Sequence, residues 1–318
     1  MKFRTEIEVS PFSFNINHKS KVLLMGSCFT TNVGEKLAYY GFETFSNPFG
    51  IAFNPDSLAK QISQIVKGYE YLESDLVERQ GQFLSFDHHS SFNRQDASST
   101  LDVINSNLEQ VRAEFKNADV LFLSLGSAWV WERKESKTIV NNCHKIASNK
   151  FNQKLLSYDE ILSSLNKIVD DLKEFAPQLK VVFTLSPIRH WRHGAVENMQ
   201  SKSLLHAAIQ SVVKENELTH YFPSYEIMMD DLRDYRFYAD DMLHPSEQAI
   251  DYIWQKFGET FFIENTRQAN DLIRKIRMMQ DHRNVAGTNE ELDKFNQKLK
   301  NRLDELNSDF GIELKIFK

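Results

Sequence analysis

KVLLMGSCFTTNVGEKLAYYG, residues 21–41, decides how this chain folds. Residues 21–25 form a short apolar run rich in β-branched and large side chains, and Gly26 ends it. That is the pattern of a buried strand stopped by a residue free of Cβ constraints. Immediately afterwards the apolar positions change period. Phe29, Val33, Leu37 and Tyr40 fall at helical spacing, so the segment reads as strand, tight turn and helix. Ser27 and Cys28 sit at its start, where unpaired backbone N–H groups and a partial positive charge gather.

The same grammar recurs downstream. Residues 42–45 form a short extended piece running into the turn-rich Asn47-Pro48-Phe49-Gly50, and Asn54-Pro55-Asp56 marks a helix start. VLFLSL (120–125), ended by Gly126, and VVFTL (181–185), ended by Ser186-Pro187, are further buried strands. Helices are expected over 99–116, 157–175, 201–217 and 246–262, a hairpin in AWVWERKESKTIV (128–140), and a last strand at 220–222. Residues 70–98 read as irregular. Buried strands alternating with helices imply an α/β fold, a three-layer sandwich around a mostly parallel sheet of about five strands. Ligands then bind beyond the strands' C-terminal ends, where Gly26, Gly126, Ser186 and Pro187 all fall. The α/β domain is expected over 1–262. Residues 263–318 read as a C-terminal helical extension whose apolar positions (Leu272, Ile273, Ile276, Met279, Leu292, Phe295, Leu299, Leu303) suit packing on the core or on a second copy in a homodimer.

Composition narrows the function classes. The 318 residues are 41% hydrophobic and 26% charged, ordinary for a globular chain. Apolar runs fall far short of the roughly 20 residues that span a bilayer, so no membrane association is expected. A net charge of −6 argues against nucleic acid as partner. MKFRTEIEVS has no apolar h-region, so a cytoplasmic location with Cys28 and Cys143 as reduced thiols is expected. Glycine is scarce, 11 in all or about half the average usage, so Gly26 and Gly126 mark places where backbone geometry demands it.

Two constellations carry chemistry. In MGSCFT (25–30) a nucleophile at a strand–helix turn faces the cleft, and the helix start favours both a thiolate and an oxyanion; the alternative is a plain turn with Ser27 as cap and Cys28 as a small packed residue. In ADDMLHPS (239–246) Asp241 stands three residues before His244, the spacing at which a carboxylate orients an imidazole acting as general base; the alternative is a loop Asp capping its own turn. Arg189 and His190 follow a strand end and suit an anionic or carbonyl group, or a surface pair. Asn142 and His144 can reach the same cleft from the hairpin excursion, or simply form a turn. His190 with His193, and His88 with His89, lack further ligands at usual spacing, so no metal or other cofactor is expected. Trp129, Trp131 and Trp191 suit stacking on a sugar as well as core packing.

The pairing of a strand-G-S-C-helix with a D-x-x-H-P before the last core helix resembles the SGNH (GDSL-like) hydrolase superfamily. More narrowly, Gly26-Ser27-Cys28-Phe29-Thr30 resembles the motif that names the GSCFA family, with Thr in place of the final Ala. NPFGIAFNP (47–55), NCHK (142–145), TLSPIRH (184–190), NMQSK (198–202), FPSYEI (222–227), DYRFYADDMLHPS (234–246) and IRKIRMMQDHR are similar to that family too. The resemblance implies an SGNH-hydrolase-like, flavodoxin-like fold. Aligned without a gap on the G-D-S turn, Cys28 takes the nucleophile position and Ser27 that of the Asp; a one-residue difference in the turn would exchange their roles. The superfamily's G-x-N-D falls on Gly126-Ser127-Ala128-Trp129, so the Asn donor of the oxyanion hole is missing. Replacement donors are the Gly50 N–H, Asn47, Asn54 or Ser127.

The leading reading is therefore a hydrolase or acyltransferase acting on esters or thioesters, O-acyl carbohydrates among them, through a nucleophile–His–Asp site. The alternatives are a non-catalytic binding protein of the same fold and a metal-dependent hydrolase.

Overall fold

The computed structural model describes residues 4–281 and 289–314. In chain order the elements are β1 (Lys21–Gly26), α1 (Cys28–Tyr39), β2 (Glu43–Ser46), α2 (Pro55–Lys67), β3 (Val77–Arg79), β4 (Gln82–Leu84), α3 (Ala97–Asn117), β5 (Val120–Leu125), β6 (Trp129–Arg133), β7 (Ile139–Val140), β8 (Phe151–Leu155), α4 (Tyr158–Phe175), β9 (Lys180–Leu185), α5 (Ala195–Glu215), β10 (Thr219–Tyr221), the single turn α6 (Ser224–Glu226), α7 (Glu247–Phe261), α8 (Glu264–Asp281) and α9 (Asn289–Phe310).

The central sheet has five strands in the order β10-β9-β5-β1-β2, and every pairing in it is parallel. Side chains alternate across a strand, and here the alternation assigns two separate cores. Leu23, Met25, Leu121, Leu123, Leu125, Val181, Phe183 and Leu185 pack on one face against α2, α3, α4 and α5. Val22, Leu24, Val120, Phe122 and Val182 pack on the other against α1, α7 and the chain's N-terminal stretch. Both faces are covered, which is why the strands read as unbroken apolar runs. The result is the expected α/β three-layer sandwich.

Numbered by order along the chain, the five parallel strands run 2-1-3-4-5, the flavodoxin-like order. From β1 the chain moves first to β2 on one side and later to β5 on the other. The topological switch point thus lies between β1 and β5, whose register pairs Gly26 with Ser124. The crevice beyond their C-terminal ends is where such sheets bind ligands.

Several boundaries differ from the sequence reading. The helix expected at 201–217 begins at Ala195, after Gly194, which adopts φ +97° and gives no side-chain cap; a helix start without Ser, Thr, Asp or Asn leaves no signal. The hairpin β6–β7 is present, but β8 joins it as a third antiparallel strand. Residues 77–84, read as irregular, form the small antiparallel hairpin β3–β4.

Helices α8 and α9 close on each other through Leu272, Ile273, Ile276, Leu299 and Leu306, with Phe295, Leu303 and Tyr40 around them. Arg277 donates from Nε to the Tyr39 carbonyl at 3.1 Å. The apolar stripes are thus covered largely within the chain, although Leu292 stays exposed. His282 and Arg283 of the IRKIRMMQDHR stretch, and the end of the 263–318 extension, lie outside the described residues.

Candidate active site

The turn after β1 is built by backbone geometry. Gly26 adopts φ +133°, and a Cβ there would stand 2.2 Å from the Ser124 carbonyl oxygen. Only glycine lets β1 and β5 end this close together. The Ser27 N–H donates to that same carbonyl at 3.0 Å, and the chain turns at once into α1.

Ser27 and Cys28 therefore part company. Ser27 is buried, 2% exposed. Its hydroxyl caps α1 by accepting from the Phe29 N–H at 3.3 Å and pairs with the Ser124 hydroxyl at 2.8 Å. Cys28 is the first residue of α1 and a half-buried free thiol. It stands where a helix leaves its N–H groups without intrahelical partners.

A strap over residues 47–54 crosses the ends of β1 and β5. Asn47, at φ +44°, accepts the Gly26 N–H on Oδ1 at 2.8 Å and donates from Nδ2 to the Thr30 and Thr31 hydroxyls. The Ala52 N–H donates to the Gly26 carbonyl, and the Phe53 carbonyl accepts from both Gly126 and Ser127. This loop ties β1 to β5 across the switch point.

The donors nominated from sequence are engaged in that construction. The Gly50 N–H donates to the Asn47 carbonyl at 2.8 Å. Asn54 caps α2, accepting from the Ser57 N–H and donating to the Ser57 hydroxyl. The Gly126 N–H donates to Phe53 at 2.7 Å. Ser127 accepts from the Trp129 N–H and lies 3.4 Å from the Ser201 hydroxyl. Asn142 and His144 form a turn against residues 85–88. Asn142 accepts the His144 N–H and donates to the His88 carbonyl, while His144 Nε2 bonds the Ser85 carbonyl at 2.8 Å.

His190 is placed differently. Its N–H donates to Asn198 Oδ1 at 3.0 Å, and its ring packs on Phe53. Its Nε2 is buried without a partner and lies 2.9 Å from where a Gly126 Cβ would stand, a point only 3.5 Å from Ser27 Cβ. Burial, with the nearby charges of Lys202 and His244, pushes its pKa down to about 4. The ring is neutral at physiological pH and carries a single N–H.

Asp241 and His244 form a short turn ahead of α7. The carboxylate accepts the Leu243 and His244 N–H groups on Oδ1, each at 2.9 Å, and the His244 Nδ1 proton on Oδ2 at 2.6 Å. Those bonds, led by the His244 N–H, hold the Asp241 pKa down to about 2. An ionised carboxylate on Nδ1 keeps the proton there and leaves Nε2 as the basic nitrogen. Both side chains are about half exposed, at 49% and 47%, so the imidazole is open to solvent. His244 also lies within electrostatic reach of His190. His190 is the piece that relates the DxxH turn to the Gly26-Ser27 turn.

Among proteins whose families are defined by sequence, the GSCFA family model matches residues 21–257. The chain belongs to the GSCFA family. No curated protein matches it. Among solved structures it is similar to a carbohydrate esterase family 3 protein from Talaromyces cellulolyticus, at 10% identity over 80% of this chain and 99% of that one, with a TM-score of 0.37. It is also similar to an acetyl-xylooligosaccharide esterase from Geobacillus, at 12% identity over 79% and 98%, with a TM-score of 0.40.

One group of this GSCFA protein escapes a motif search. Asn198, Ser201 and Lys202 continue the buried stripe of α5 that runs through Leu205, Ala208, Ile209 and Val212. Asn198 fixes His190, Ser201 accepts the Ala128 N–H at 2.8 Å, and Lys202 donates to the Ser186 carbonyl at 2.7 Å. Lys202 is 1% exposed, and burial pushes its ammonium down to about 7. Polar residues in register with a helix's apolar stripe are the signal that finds them.

Among the described residues, no helix is long and apolar enough to cross a membrane.

Proposed function

We propose that the protein is an acyl hydrolase or acyltransferase that cleaves esters or thioesters through Cys28, with His244 as general base and Asp241 as its orienting acid. The observation that carries this reading is the division of labour at the turn. The Ser27 hydroxyl is buried and engaged with Ser124 and Phe29, whereas the Cys28 thiol is the half-buried group at the helix start. The thiol stands where the helix start leaves its N–H groups without intrahelical partners.

In the proposed cycle, His244 Nε2 takes the Cys28 proton and the sulfur attacks the acyl carbon. The resulting oxyanion is met by the Cys28 N–H and by Nε2–H of neutral His190, which stands in for the missing Asn side chain. The carbon–oxygen bond breaks, and the leaving alkoxide takes the proton from His244. A water molecule, or an alcohol acceptor in transfer, then gives a proton to His244 and attacks the thioester. The carbon–sulfur bond to Cys28 breaks, the acyl product leaves, and His244 returns its proton to the sulfur. O-acyl carbohydrates are the first substrates to try.

The test is a panel of short-chain aryl esters and thioesters with iodoacetamide labelling beside it. Burial pushes the Cys143 thiol up to about 11, so at neutral pH alkylation is expected to fall on Cys28 and to stop turnover. A His244→Ala variant is expected to slow both. Turnover that survives complete alkylation of Cys28 would overturn the assignment. A folded protein that turns over no member of the panel would favour the binding-protein reading.

A further inference from the structure

Beside Asp241 opens a cavity of about 420 Å³, lined among others by Arg189, Trp191, Met229, Tyr235 and Tyr238. Its volume falls in the range of small-molecule sites. The lining combines apolar and aromatic side chains with four charged ones, Arg189, Arg233, Asp234 and Asp241. Arg189 projects a guanidinium into it with no carboxylate paired to it among the described residues. Its Nη2 donates to the Met229 thioether at 3.3 Å, a weak acceptor, and its Nε is buried without a partner. The Tyr238 hydroxyl sits beside it.

A half-buried guanidinium whose partners are a thioether and a neutral phenol, with no carboxylate, is a costly arrangement for a folded chain to keep. The neighbourhood offers it no relief. Lys202, buried nearby, donates to the Ser186 carbonyl and offers no carboxylate partner either. The acids of the lining are engaged elsewhere: Asp241 with His244 and its own turn, and Asp234 with the Arg236 N–H at 2.9 Å. Arg233, across the opening, pairs with exposed Asp230 at 3.1 Å.

Resting on the reading of the dyad given above, we infer that this cavity is the specificity pocket, and that it takes an anionic head, carboxylate or phosphate, carried on an apolar stem of the substrate. The guanidinium supplies two N–H groups in a fixed fork to the anion. Trp191, Met229, Tyr235 and Tyr238 enclose the stem. Because Asp241 forms part of the same wall, a ligand seated there lies against the dyad.

Direct binding tests this independently of turnover. Hexanoate, hexyl phosphate and the uncharged hexanamide are titrated calorimetrically into the full-length protein. At least one anion is expected to bind about tenfold or more tightly than hexanamide, the size of a charge-assisted hydrogen bond, and the tighter anion names the head group. Arg189→Gln should abolish that preference, and Arg189→Lys should keep part of it, with folding of both checked by circular dichroism. Equal binding of hexanamide, no anion binding, or a preference unchanged in folded Arg189→Gln would overturn the inference. If Arg189→Gln does not fold, Tyr238→Phe and Arg189→Lys carry the test through a reduced preference. Absence of ester turnover would sink the catalytic reading and leave this binding result standing. Turnover of neutral esters without anion binding would sink only the pocket.

Discussion

Replacing Ser27 by Ala separates structure from chemistry at the turn, and the size of the effect follows from two hydrogen bonds. The hydroxyl caps α1 through the Phe29 N–H, and loss of a Ser cap costs about 1 kcal/mol. It also pairs with Ser124, which is fully buried, at 2.8 Å. Removing one member strands the other, at about 1–3 kcal/mol. Ser27→Ala should therefore destabilise the protein by about 2–4 kcal/mol in urea unfolding. The double variant Ser27→Ala, Ser124→Ala removes both hydroxyls and should be more stable than the sum of the single effects predicts, by about 1 kcal/mol or more. Turnover per folded molecule should stay within a few-fold of the parent in Ser27→Ala. A Ser27→Ala protein that is as stable as the parent but inactive would refute the reasoning, because it would make Ser27 the nucleophile rather than the cap.

Gly26→Ala should prevent stable folding altogether. It sets a Cβ 2.2 Å from the Ser124 carbonyl at φ +133°, and soluble yield with circular dichroism would show it. Acid should destabilise the protein in a window set by two buried histidines. Burial pushes His88 and His190 down to about 4. The unfolded chain then binds more protons between about pH 6.5 and 4, and stability falls through that range by about 3 kcal/mol per histidine. Urea midpoints measured across pH, flattened in His190→Gln, would check this. Lys202, held near 7 by burial, acts with the same sign at higher pH. Stability should rise with pH between about 7 and 10.5, and Lys202→Met should remove that rise.

The fold was legible because its strands are buried on both faces. VLFLSL and VVFTL announce themselves as apolar runs, and their glycine and Ser-Pro endings mark the edge where the candidate site lies. What escaped was structure held by long-range partners. β8 (FNQKL) has a polar composition and is a strand because β6 pairs with it. The Asp241–His244 pair could be read from spacing, since the contact is local. The surroundings of the nominated oxyanion donors could not. Asn47, Asn54, Gly50 and Ser127 were plausible by residue type, yet each is engaged by a backbone or side-chain group whose position only the folded strap supplies. His190 was noticed as a strand-end residue, but its free Nε2 beside Gly126 depends on Asn198, eight residues away on another element. Lys202 was visible only inside a family-like motif. Its burial, with its amine donating to the Ser186 carbonyl, is supplied by the fold.

Trapping the acyl-enzyme tests the central claim most directly. The protein is mixed with a slowly hydrolysed aryl ester, quenched in acid during turnover, and mapped by peptide mass spectrometry. One acyl group per chain is expected on the peptide carrying Cys28, released by neutral hydroxylamine as a thioester should be, and much reduced in His244→Ala. Acylation of Ser27, or steady turnover with Cys28 left unmodified and replaceable by Ala, would contradict it.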